Sequence, residues 1–177
     1  MVSRDALAAR LFHASMGVIT SEDELVAADP EGGRAMVDVA TTISAAVAAS
    51  DGSIDDLFSD VARAVSRIEG AGPGISFWSA WLEGLADAAP AGDAAGYDDL
   101  RDMFDRALDE VTRALAAGLC DVAPTDALAV ACVSVSSCAD ELDAFDEAAD
   151  AVEEAVSGTG DPVSIALARF LRGMTQA

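Results

Sequence analysis

The 177-residue chain sets 32 acidic side chains against 10 basic ones, a formal net charge of −22, and contains no lysine, so all ten basic residues are arginine. Such a charge repels polyphosphate and anionic lipid, which excludes nucleic-acid binding through a basic patch and adsorption to an acidic membrane surface. A positive mean hydropathy of +0.31, with apolar residues recurring at helical spacing, excludes a disordered chain.

In chain order the pattern predicts helices over 3–20, 33–49, 54–69, 76–89, 97–119, 125–142, 144–157 and 162–172. Strand signals are almost absent. The β-branched run 130–135 sits in a stretch that also fits a buried helix. Ser53 and Asp51 are placed to cap the third helix, with Asp55 and Asp56 in its first turn where the helix dipole favours them. Asp161-Pro162 reads as a cap followed by proline at the first helical position. The segment 90–96, rich in proline, glycine and alanine, reads as a flexible connection. Short loops between helices of this length imply antiparallel neighbours, so the expected architecture is all-α: one domain over 1–177, an up-and-down eight-helix bundle or closed helical barrel.

The longest charge-free stretches, 70–82 and 127–139, hold 13 residues each, short of the roughly 18–20 a bilayer span needs. The amino-terminal stretch runs into an amphipathic helix rather than a signal segment, and the expected location is cytoplasmic. Three cysteines, Cys120, Cys132 and Cys138, have no CxxC spacing and read as reduced core residues.

Four places interrupt the helices. Residues 24–33 form an acidic loop with Glu24, Asp29 and Glu31, oxygen donors of the kind Mg²⁺ takes. Residues 70–76 form a glycine-rich turn that exposes backbone N–H groups at a helix start, a common phosphate cradle. Thr125 and Asp126 open a very apolar helix, and Asp161 opens the last one. Each has a plainer reading as a turn or cap. Nucleophile chemistry fails by inventory: His13 is the sole histidine, no nucleophile elbow exists, and without lysine there is no P-loop.

Taken in order, these four sites resemble the ADP-binding L subunit of dihydroxyacetone kinase, the DhaL (DAK2) family. Its aspartate-rich G-D-G-D-H-G loop is similar to the stretch carrying Glu24, Asp29 and Glu31, with Gly33 as the closing glycine. Its S-G-P-L-Y-G turn resembles Ala71, Gly72, Pro73, Gly74, Ile75 and Ser76. Its T-M-L-D-A-L helix entry looks like Thr125, Asp126, Ala127 and Leu128, and its D-P-G-A looks like Asp161, Pro162, Val163 and Ser164.

The resemblance implies an eight-helix barrel binding ADP or ATP with magnesium, a phosphotransfer subunit working with a separate DhaK-like substrate subunit. Glu24, Asp29 and Glu31 would hold the metal. Gly33, Ala71, Gly72, Pro73, Gly74, Ser76, Thr125, Asp126 and Asp161 would line the nucleotide. The chain departs from the pattern at specific points. Two ligand aspartates are glutamates, the family histidine is Gly32, and no arginine lies between Asp150 and Asp161, where the family carries a basic lid. Phosphoryl transfer rests on positioned cationic stabilisation. The alternative reading is therefore a DhaL-fold pseudoenzyme acting as a binding or regulatory module.

Overall fold

The computed structural model describes residues 1–70, 72–138 and 140–176, without the side chains of residues 141 and 142. The described residues are helical nearly throughout. The helices are α1 (Arg4–Ile19), α2 (Glu22–Ala28), α3 (Pro30–Ala49), α4 (Ile54–Val65), α5 (Pro73–Ala88), α6 (Tyr97–Ala116), α7 (Val122–Ser136), α8 (Glu141–Ala155) and α9 (Pro162–Met174). None is long and apolar enough to cross a membrane.

Two expectations are corrected. The acidic stretch read as a loop folds as the short helix α2 followed directly by α3, which begins at Pro30 instead of Gly33. Proline at the first helical position lacks only an N–H that would be unpaired anyway, so it starts a helix rather than stiffening a loop. The connection read as flexible is tied down: Ala94–Ala95 pairs antiparallel with Val2–Ser3, giving a two-residue ladder β1–β2. Arg4 and Ile54 donate backbone N–H bonds to the carbonyls of Asp93 and Gly92 at 2.8 and 2.9 Å, and Val2 and Ala95 are buried.

Other features follow the sequence. Asp56 accepts from the backbone N–H of Ser53 at 3.2 Å and from its hydroxyl at 2.7 Å, capping α4. Asp161 accepts the Ser164 N–H at 2.8 Å. The β-branched run is helical, within α7. The three cysteines are free thiols, and burial pushes the Cys132 thiol up to about 12.

From α2 onward, helices adjacent in sequence pack on one another, and α1 packs along α3 and α9. The α1–α9 contact is antiparallel and close, because a Cβ on Gly17 would sit 2.7 Å from the Arg169 carbonyl oxygen and one on Gly173 2.5 Å from Ala14 Cα. Glycine is needed at such positions because any side chain would drive two backbones apart. The centre is filled by Trp78, Trp81 and Phe170, with ring centroids 4.9 to 5.4 Å apart in edge-to-face contacts. Side chains from α1, α4, α5, α6, α8 and α9 meet around an apolar void of only about 20 Å³. Around this cluster the described side chains are packed at the density of a protein interior.

Candidate functional site

The alternation of helix direction gathers the sequence-predicted sites at one end of the molecule. A Cβ on Gly32 would lie 2.9 Å from Pro162 Cγ, so the starts of α3 and α9 touch. A Cβ on Gly74 would lie 2.7 Å from Met36 Cε and 3.0 Å from Val163 Cγ2, which brings the start of α5 to the same place. The Tyr97 hydroxyl donates to the Val135 carbonyl at 2.6 Å, pairing the last turn of α7 with the first of α6. The start of α7 therefore also lies at the end where α3, α5 and α9 begin. Four helix N-termini face one way, and their partial positive charges add there.

Two of the three carboxylates expected to hold a metal have other partners. Both oxygens of Glu24 accept from Arg169, Nε at 3.0 Å and Nη2 at 2.9 Å, a two-pronged bond across from α2 to α9. Asp29 is the N-cap of α3, its Oδ2 accepting the Gly32 N–H at 2.6 Å. Glu31 stands exposed in the first turn of α3. Among the described residues no group of three histidine, cysteine, aspartate or glutamate side chains is placed to hold a metal ion. Mg²⁺ demands near-ideal octahedral oxygen geometry, and a capping carboxylate plus one neutralised by a guanidinium do not supply it. As arranged, these residues do not fit a magnesium centre.

The remaining expected contacts also serve local structure. Gly33 lets α2 fold back on α3, since a Cβ there would lie 2.4 Å from the carbonyl carbon and oxygen of Leu25. Gly72 is the N-cap of α5 and Pro73 its first residue, while Gly74 gives Met36 and Val163 room. The Ser76 N–H is already bonded to the Gly72 carbonyl at 3.1 Å, so it is not a phosphate donor. Ala71 lies outside the described residues. Helix α7 begins at Val122, three residues before the expected entry, with Asp121 as N-cap. Thr125 is buried, its hydroxyl returning to the Asp121 carbonyl at 2.9 Å, whereas Asp126 is exposed. Asp161 caps α9 through Ser164.

Sequence reasoning missed the basic side of this end. It looked for arginine in the segment before Asp161, but Arg169 stands two turns into α9. The bonds it donates to Glu24 hold its guanidinium pKa above the ordinary arginine value, and neighbouring Arg172 is held by Glu153 and Asp150. The bond from Arg172 in turn holds the Glu153 carboxyl below its usual range. Arg34, one turn into α3, and Arg67, just past the end of α4, are exposed and form no ion pair among the described residues. The heptad arithmetic of α9 could have placed Arg169 and Arg172 on one side; nothing local could have paired them with Glu24.

An open groove of about 480 Å³ runs beside the glycine-rich turn, between α5 and α6, with Ser76, Glu83, Glu110 and Arg113 among its lining. Burial, then repulsion from Glu110 and Asp87, raises the Glu83 carboxyl above its ordinary 4.5. A carboxylate raised on folding weakens the native state at pH above its folded value, and the loss disappears once the group is protonated in both states. Glu83→Gln should therefore stabilise the protein at pH 7, by only a few tenths of a kcal/mol because the group is solvent-screened. Paired thermal melts across about pH 4 to 8 check this; a gain that grows as pH falls would contradict it.

No protein-family model and no curated protein matches the chain.

Proposed function

We propose that this chain is a DhaL-like ring of eight long helices that has lost metal-dependent phosphotransfer and acts as a non-catalytic binding module. The observation that carries the reading is the two-pronged bond between Glu24 and Arg169. It consumes the first of the three carboxylates that the family resemblance would give to magnesium, while capping consumes Asp29. Phosphoryl transfer needs the metal to neutralise charge on the phosphates, and a −22 chain has little cation to spare as a substitute.

A second reading, the phosphotransfer subunit acting with a DhaK-like partner on ADP or ATP with magnesium, is favoured by one arrangement. The helix starts at the shared end and the free guanidinium groups of Arg34 and Arg67 suit a phosphate group. A thermal-shift titration separates the two. A nucleotide present at about 100 times its dissociation constant stabilises by about 2.7 kcal/mol, or roughly 5–10 °C for a chain this long. The module reading expects no magnesium-dependent shift with millimolar ADP. A shift of that size that requires magnesium and is abolished in Asp29→Ala would overturn it in favour of the kinase subunit.

A further inference from the structure

Helix α7 shows an unusual outer face. Of its 15 residues one is charged, Asp126, in a chain where 24% of residues are charged. Residues 122, 126, 130, 133 and 137 recur at helical spacing and face outward. Val133 is 68% exposed, Val122 58% and Val130 38%, and Leu119 in the preceding loop is 56% exposed. Single exposed apolar residues mean nothing, but Val130 and Val133 are neighbours one turn apart, and Val122 continues the same face beyond Asp126.

Acidic helices flank this face on both sides. On one side α8 has seven carboxylates in 15 residues and no cation. Its Asp143 and Glu147 join Val133, Ser134, Ser137 and Cys138 in lining an open groove of about 340 Å³. On the other side the Cys132 thiol of α7 donates to the Phe104 carbonyl of α6 at 3.4 Å, and the next residue of α6, Asp105, is exposed. Asp105, Asp143 and Glu147 form no ion pair among the described residues, unlike the carboxylates around Arg106, Arg169 and Arg172. The arrangement therefore asks for two things at once: aliphatic side chains to cover the valines and cations to meet both rims.

We propose that the outer face of α7, with the groove it forms against α8, docks a basic amphipathic helix of a partner protein. An apolar ridge on that helix would cover Val122, Val130 and Val133, and its flanking arginines or lysines would reach Asp105 on one side and Asp143 and Glu147 on the other. This is helix-in-groove recognition with charge selecting the partner. A second copy of this chain is disfavoured as occupant, because it would set acidic rims against acidic rims. The groove at Val133, Asp143 and Glu147 lies toward the last turn of α7, away from the end where the helix starts gather, which only Val122 reaches, so it stands whichever reading of that end holds.

The test uses the full chain and a designed peptide of about 18 residues, roughly 27 Å of helix, with leucine on one face and arginine along both flanks. Fluorescence anisotropy should show saturable binding that weakens several-fold between about 50 and 300 mM salt. Val133→Glu, on an exposed position that leaves folding intact by circular dichroism, should weaken it by at least about tenfold. The double change Asp143→Asn and Glu147→Gln should weaken it less and flatten the salt dependence. A control peptide with serine replacing leucine should bind at least about tenfold more weakly. Equal binding by that control, or equal binding to Val133→Glu, would reduce the effect to non-specific charge attraction and overturn the proposal. So would self-association of the chain in sedimentation velocity that Val133→Glu abolishes, which assigns the face to a second copy.

Discussion

Replacing Trp78 with alanine should lower stability by about 3–5 kcal/mol and the melting temperature by roughly 10 °C or more. Trp78 is almost wholly buried, and it touches Phe77, Trp81 and Phe170 edge-to-face. Its indole N–H donates to Met36 Sδ at 3.2 Å, which joins α5 to α3. Truncation removes the apolar transfer energy, the ring contacts and that bond together, at a place where helices from several directions meet. The void beside its neighbours Trp81 and Phe170 is only about 20 Å³, so those rings have little slack into which they can collapse. Urea unfolding followed by circular dichroism measures the loss. A cost under about 1 kcal/mol would mean that the aromatic cluster is not the centre of the packing.

Gly33→Val should cost about 2–3 kcal/mol and lower the melting temperature by roughly 5–10 °C, with no ligand present. The atoms a side chain would meet are backbone, at 2.4 Å for Leu25 C and O and 2.6 Å for Val26 N, so a rotamer change cannot relieve the contact. Helix α2 would have to lift off α3, carrying Glu24 away from Arg169. The resemblance gave this glycine a place in a metal loop; the packing gives it a structural role that shows in the unliganded protein. Unchanged melting would show that α2 does not rest on α3 at this point.

Much of the helical pattern was legible. Asp56 beneath Ser53 and Asp161 ahead of Pro162 announce helix starts through chemistry that lies within four residues, and both caps are in place. The acidic stretch departs from the sequence expectation because proline and glycine read equally well as loop punctuation and as a helix start. Pro30 and Gly33 instead start α3 and let α2 fold back on it, and that choice depends on Leu25 being buried beneath, a tertiary fact. The same limit explains the glycine-rich turn. Gly74 could equally serve phosphate or packing, and only the positions of Met36 and Val163 decide for packing.

The amino-acid sequence by itself determined the helical class, most of the caps, the free cysteines and a strongly acidic net charge. These follow from periodicity, short-range hydrogen bonding and composition, which act within a turn or two of helix. The tertiary structure alone decided which carboxylate meets which guanidinium. Glu24 and Arg169 are separated by 145 residues, and the bond between them exists because α2 and α9 are packed side by side. It also decided that the valines of α7, indistinguishable in sequence from core residues, face outward between two acidic helices. An apolar helix has no charged face to mark its outer side, so only its neighbours fix which stripe is left uncovered.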